Sequence, residues 1–338
     1  MDPKSLFREN NAALLDFRNG RPARPNDVFI AVMGLTGAGK SSFISLCSGE
    51  NAEIGHDSHS CTSVVDVYGY EESPDRTVYL IDTPGFDDGQ RNDTQILREI
   101  ATWLGTSYEN KILLSGILYL HRISDNRMQG SAKKNLGMFM KLCGSDAFKK
   151  VVLVETMWDK TDPEEAARRE KELQETEEFW GWMISKGSRC YRHMNTAESA
   201  RDIVRQLSGS SSYVVTDIQK QLIDDKLNLD ETSAGRELMS EILKEREKFA
   251  QERDEMETQR QEAIQQHDFE TEKGMCEERD RYSKIIEKME KDESSLRSDI
   301  ATLQASQRNE REMELERKLQ EQGKVPRWIQ RIFMALRS

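Results

Sequence analysis

An α/β domain with a mostly parallel sheet and helices on both faces, followed by a long α-helical region, is the fold this sequence predicts, and three observations carry the prediction. From Asp27 to residue 207, short β-branched runs alternate with helical stretches, the pattern of strands joined by crossover helices. Residues 218–323 contain no proline and hold 19 basic against 29 acidic side chains, the composition of long exposed helices. Charged residues make up 33% of the chain against about 25% in an average globular protein, so a core can form only where that excess charge is absent.

Residues 1–26, with Pro22 and Pro25 among Arg and Asn, read as an N-terminal arm that Leu14, Leu15 and Phe17 can dock. Residues 27–207 form the α/β domain. Strands are predicted at 28–33, 63–70, 76–82, 113–121, 151–157 and 188–193, and helices at 40–49, 94–104, 132–143, 163–185 and 197–207. The run Ser208-Gly209-Ser210-Ser211-Ser212 has the composition of a flexible break, so 208–213 is read as a linker. In the helical region 214–323, Met275, Tyr282, Met289, Leu296 and Leu303 recur every seventh residue, as do Phe249, Met256 and Ala263, although companion positions such as Asp292 are polar. A two-stranded coiled coil, a bundle folded back on the sheet domain and a helix ordered only with a partner all fit this spacing. Residues 324–338 place Trp328, Ile329, Ile332, Phe333 and Leu336 on one helical stripe and carry four basic and no acidic residues.

The net charge of −12 argues against nucleic acid as a partner, because displacing counterions from phosphates requires a basic face. Five scattered cysteines without a CxxC pair fit reduced thiols, and no stretch reads as a secretion leader or approaches the ~20 apolar residues of a membrane span, so a cytoplasmic protein is expected. The basic amphipathic tail leaves two expectations open. It can lie at an anionic membrane surface, or it can cover an apolar face of its own chain.

The strongest local signal is Gly34-Leu35-Thr36-Gly37-Ala38-Gly39-Lys40-Ser41, a complete GxxxxGK[ST] between a strand and a helix. Phosphates need backbone N–H groups aimed inward from a loop clear of Cβ atoms, with a helix N-terminus behind them. Gly34, Gly37 and Gly39 allow that wrap, with Ala38 and Ser42 in the same phosphate-facing run. Lys40 supplies charge to the β and γ oxygens, and the Ser41 hydroxyl is a Mg²⁺ ligand. At the end of strand 76–82, Asp82-Thr83-Pro84-Gly85 places a carboxylate to reach Mg²⁺ and the Gly85 N–H to meet a γ-phosphate. Thr62, closing the polar loop 50–62, is the first choice to complete the metal shell and sense the γ-phosphate, with Ser58, Ser60 and Ser63 as competitors. His56, His59 and Cys61 on that loop suggest zinc but lack a fourth ligand. After strand 151–157, Asp159 in Thr156-Met157-Trp158-Asp159 can accept both donors of a guanine edge, whereas adenine offers no matching pair. The stretch Tyr191 to Asn195 is the candidate for the other side of the base.

Together these stretches resemble the G1 to G4 motifs of a translation-factor-class GTPase, closest to the septin-related group that includes the immune-associated (GIMAP-type) proteins and to fungal G-domain proteins. Gly116-Ile117-Leu118-Tyr119-Leu120-His121-Arg122-Ile123 shares in that resemblance, which covers 27–207. It implies a Ras-like P-loop NTPase sheet, GTP/GDP and Mg²⁺ as ligands, Lys40 and Thr62 as catalytic groups, and homo-oligomers through the G domain, the helices or both. Two positions depart from the pattern. Met157 stands where many GTPases carry lysine, which implies reduced affinity or guanine selectivity. Phe86 stands where small GTPases carry the water-orienting glutamine, which implies slow hydrolysis completed by a second molecule, with His59 or Arg91 as the missing electrostatic group. The expected function is therefore a slow, dimer-stimulated GTPase switch. A nucleotide-binding coiled-coil scaffold with little hydrolysis is the alternative, and a P-loop ATPase or kinase is disfavoured by Thr156 to Asp159.

Overall fold

The computed structural model describes residues 24–49, 65–86, 91–125, 128, 130–209, 212–307 and 309. Six strands form one sheet in the order β2-β3-β1-β4-β5-β6: β1 (Val28–Gly34), β2 (Asp66–Ser73), β3 (Arg76–Asp82), β4 (Gly116–Arg122), β5 (Val151–Thr156) and β6 (Arg189–Arg192). Only the β2–β3 pair is antiparallel. The intervening helices are α1 (Lys40–Ser48), α2 (Asp93–Glu109), α3 (Ser131–Cys143), α4 (Pro163–Glu175) and α5 (Ala197–Ser208).

Alternation along β1 shows how the sheet is buried. Val28, Ile30 and Val32 face a cluster with Phe43, Ile44 and Cys47 of α1 and Ile203 and Val204 of α5. Phe29, Ala31 and Met33 face a larger cluster built on α2 and α3. A strand covered on both faces carries apolar residues throughout, which is why β1, β4 and β5 read as continuous hydrophobic runs. At the N-terminal edge, buried Asp27 ties the arm to β3: its carboxylate accepts the Arg24 N–H at 2.7 Å and the Thr77 N–H at 2.8 Å.

The predicted helix over 163–185 is broken. After α4, Thr176 is extended and Phe179 is non-helical (φ −103°, ψ −113°), and a short turn at Glu177–Gly181 precedes Trp182–Ser185. The kink carries Trp180 into the core, where it is fully buried with its ring edge-on to His121 at 5.9 Å. Burial of one large aromatic outweighs the few hydrogen bonds a straight helix would keep.

The helical region folds back on the domain. After Val214, whose N–H bonds the Leu114 carbonyl at 2.8 Å, a short helical segment at 217–224 docks on α2 through Gln219 Nε2 donating to the Leu104 carbonyl. Two long helices follow, α6 (Ser233–Gln265) and α7 (Phe269–Leu296). Arg246 pairs with Glu293, Phe249 packs on Tyr282, and Arg260 pairs with Glu272, so the two run antiparallel as a hairpin. The two heptad series identified in the sequence therefore belong to opposite arms within one chain. Leu238 and Ile242 of α6, Leu296 of α7 and Leu303 beyond it join the same apolar cluster as α2 and α3, so the base of the hairpin shares a core with the sheet domain. Among the described residues no helix is long and apolar enough to cross a membrane.

Candidate functional site

The glycine-rich loop joins β1 to α1 at the carboxyl ends of the central strands, where open α/β sheets bind ligands. Gly34 is required there by packing: a Cβ at that position would lie 2.3 Å from the Leu120 carbonyl oxygen. Lys40, the first residue of α1, is buried and donates from Nζ to the carbonyls of Gly34 (3.1 Å) and Leu35 (3.0 Å), so its ammonium is held within the loop.

The metal candidates converge. Ser41 Oγ donates to Asp82 Oδ2 at 2.8 Å, joining the start of α1 to the end of β3, with Asp82 only 2% exposed. A hydroxyl and a carboxylate oxygen are the donors a hard cation takes, and Mg²⁺ binds proteins through one or two such groups while keeping waters and substrate phosphate. The described residues contain no cluster of three or more His, Cys, Asp or Glu able to hold a metal. Thr62, Ser58, Ser60, Ser63, His56, His59 and Cys61 lie outside the described residues.

Gly85 rests directly on the phosphate loop. A Cβ there would come within 2.5 Å of Thr36 N and 2.6 Å of Lys40 Nζ, so the segment following Asp82 can approach the loop only with glycine at this position. Thr36 donates its N–H to the Phe86 carbonyl at 3.0 Å and its Oγ1 to the Gly85 carbonyl at 3.1 Å. Phe86 bridges to Leu35 and is 2% exposed in the core. Arg91 is paired with Glu99 on α2, with both side chains largely buried.

The base end forms where β5 and β6 finish. Thr156 is buried and its Oγ1 donates to the Ala38 carbonyl at 2.9 Å, tying the base motif to the phosphate loop. Met157 takes a left-handed φ of 61°, and Trp158–Lys160 form a short 3-10 turn that presents Asp159 to solvent. Arg192 stacks on the Trp158 ring at 4.3 Å and is fixed by Glu170 at 2.7 Å from Nε. Next to it, His193 donates its N–H to the Glu155 carbonyl at 2.8 Å and packs on Phe43 at 5.0 Å. Burial pushes the His193 imidazole down to about 4, and the Asp159 carboxylate opposes that shift.

Three groups here were not singled out from sequence. Burial, then the Glu170 carboxylate, pushes the Glu155 carboxyl up to about 8. Burial also pushes buried His121 down to about 4. Arg122, at the end of β4, places its guanidinium against the phosphate loop at Gly37. The sequence carries no local signal for the last of these, because the approach depends on how β4 and β5 pair.

The strand order, the phosphate loop after β1 and the paired Ser41 and Asp82 give the fold of a P-loop GTPase G domain. Residues 29–137, about a third of the chain, match the MMR_HSR1 family, described as 50S ribosome-binding GTPase. No curated protein matches the chain. Solved structures with a similar fold include Toc33 from Arabidopsis thaliana with Mg²⁺ and GMPPNP, at 16% identity over 62% of this chain and 94% of that one, with a TM-score of 0.45. The same protein with GDP and Mg²⁺ gives 15% identity over 63% and 95%, with a TM-score of 0.45. Era in complex with MgGDPNP and nucleotides 1506–1542 of 16S ribosomal RNA gives 14% identity over 54% and 56%, with a TM-score of 0.40.

Proposed function

We propose that this chain is a Mg²⁺-dependent GTP-binding switch of the septin-related, GIMAP-type group, a slow GTPase stimulated when two G domains pair. The observation that carries the reading is the 2.8 Å contact between Ser41 Oγ and Asp82 Oδ2 at the foot of the phosphate loop. Ser41, Asp82 and Thr62 would hold Mg²⁺, which when bound screens the phosphate charge and orients the γ-phosphate. Lys40 and the loop N–H groups bind phosphate oxygens, and Asp159 reads the guanine edge. Phe86, buried in the core, cannot orient a water, so hydrolysis depends on a group from a second molecule.

A route to the helical region follows from the same segment. Asn92, the N-cap of α2 beyond the Asp82 to Phe86 stretch, accepts the Gln95 N–H at 2.8 Å and donates Nδ2 to Asp292 of α7 at 2.6 Å. Movement after Asp82 would thus reach the hairpin through α2. The proposed setting is the cytoplasm, and the tail 324–338, outside the described residues, has two readings: it covers an apolar face of its own chain, the favoured one, or it contacts an anionic membrane. Co-sedimentation with anionic liposomes tests that contact, and equal sedimentation of a chain ending at Gly323 removes it.

The test of the enzymatic reading is phosphate release from GTP over a hundredfold dilution of the full chain. The rate per molecule is expected to rise with concentration. A flat specific rate, with oligomerisation confirmed over that range, removes dimer stimulation.

A further inference from the structure

Thr156 and Arg122 are partners in the β4–β5 register, and both reach the phosphate loop at consecutive residues. Thr156 Oγ1 bonds the Ala38 carbonyl at 2.9 Å, and Arg122 Nη1 lies 3.1 Å from where a Cβ of Gly37 would stand. Gly37 has a φ of 76°, so the loop is bare where the guanidinium covers it. Asp125 holds Arg122 through Nε, at 3.0 Å and 3.1 Å to its two oxygens, which fixes the plane of the guanidinium and leaves Nη1 on the loop. Arg122 ends a strand whose preceding residues are all buried.

A nucleoside di- or triphosphate brings several negative charges to this loop. Lys40 supplies one cation from the α1 side, already engaged with two loop carbonyls. On the base side, position 157 carries an uncharged methionine whose Sδ lies 3.7 Å from Ser124 Oγ, two residues beyond Arg122. We propose that Arg122 is a nucleotide-positioning residue, its guanidinium supplying from β4 the positive charge that Met157 does not supply from β5, and bracing the loop at Gly37 for the phosphates of a guanine nucleotide. The inference rests on the nucleotide-binding reading above and names a cation that reading does not use. A guanidinium is suited to the task because it stays charged and its planar fork braces a surface as well as attracting an anion.

The experiment measures fluorescent GDP binding by the full chain in Mg²⁺ for wild type, Arg122→Ala, Arg122→Lys, and Arg122→Ala combined with Met157→Lys. Melting temperatures are taken without nucleotide. Removing a charge-assisted contact is expected to weaken binding by roughly tenfold or more in Arg122→Ala. Arg122→Lys should retain part of the affinity, and Met157→Lys should restore part of it in the alanine background, because it returns a cation to the same corner. Wild-type affinity in Arg122→Ala overturns the proposal. So does a loss that neither lysine variant relieves, since that marks a contact serving only the fold. Lys40→Ala separates this from the broader reading: if it binds as tightly as wild type, the phosphate-loop assignment fails whatever Arg122 does.

Discussion

Every residue of β1 is buried, whereas between Phe249 and Tyr282, across the far half of the hairpin, Ala263 is the only buried residue. The sheet domain is held by apolar surface removed from water on two faces. The distal hairpin is held by Phe249 on Tyr282 and by a surface network in which Glu257 binds both Arg260 and Arg279. Exposed ion pairs each contribute little, so the distal arms should open far more readily than the domain that carries them. The hairpin base is different again, since Leu238, Ile242 and Leu296 lie in the domain's own core. One element thus has a fixed root and a loosely held tip, which suits a lever whose position is set where it joins α2 and α3.

The largest effect is expected at the root. Leu296→Ala removes a fully buried side chain from the shared core and should cost about 2–5 kcal/mol, read as a fall in the denaturation midpoint of the sheet domain as well as the hairpin. If only helical signal from the hairpin is lost while the domain melts unchanged, the shared core is wrong.

A smaller effect concerns pH. Glu155 is held above its ordinary value, so the folded state binds more protons than the unfolded state from about 4.5 to about 8, and stability falls as pH rises through that window. His121 and His193 are held below theirs, at about 4 each, so between about 4 and 6.5 their contribution makes stability rise with pH. The two histidines outweigh one carboxyl below 6.5, and Glu155 acts alone above it. Stability should peak near pH 6.5, and Glu155→Gln should flatten the decline between 6.5 and 8, by roughly 1 kcal/mol, in urea titrations.

The smallest effect is expected at the tip. Arg260→Ala breaks contacts with Glu257 and Glu272 but should shift the global midpoint by less than about 0.5 kcal/mol. Amide exchange in 255–280 is the sharper readout, and it should accelerate while exchange in α2 stays unchanged.

How much of this was legible beforehand depends on the range of each interaction. The phosphate loop, Asp82 and the six strands were readable because their signals are local: glycines at fixed offsets, a carboxylate at a strand end, and apolar runs bounded by turns. The convergence of Ser41 on Asp82 followed from those motifs. Arg122 on Gly37 was not readable, because it depends on the register that sets Arg122 beside Thr156. The break after Glu175 was hidden because no proline marks it; the cause is the burial of Trp180 against His121. The heptads of Phe249 and Tyr282 were visible, but a seven-residue period defines a face and not the partner that covers it. The reversal at Gln266 to Asp268 contains neither Gly nor Pro, with His267 itself taking the left-handed φ of 57°.

The edge formed by the phosphate loop, Asp82 and Asp159 is expected to bind a guanine nucleotide, and competition binding is the measurement that checks it. Fluorescent GDP bound to the full chain in Mg²⁺ is titrated with GTP or with ATP, and Asp159→Asn is titrated in parallel with xanthosine triphosphate. GTP should displace the probe while a hundredfold excess of ATP does not, and Asp159→Asn should exchange its preference for GTP for one toward xanthosine triphosphate. Equal displacement by ATP and GTP, or an unchanged preference in Asp159→Asn, would contradict the claim.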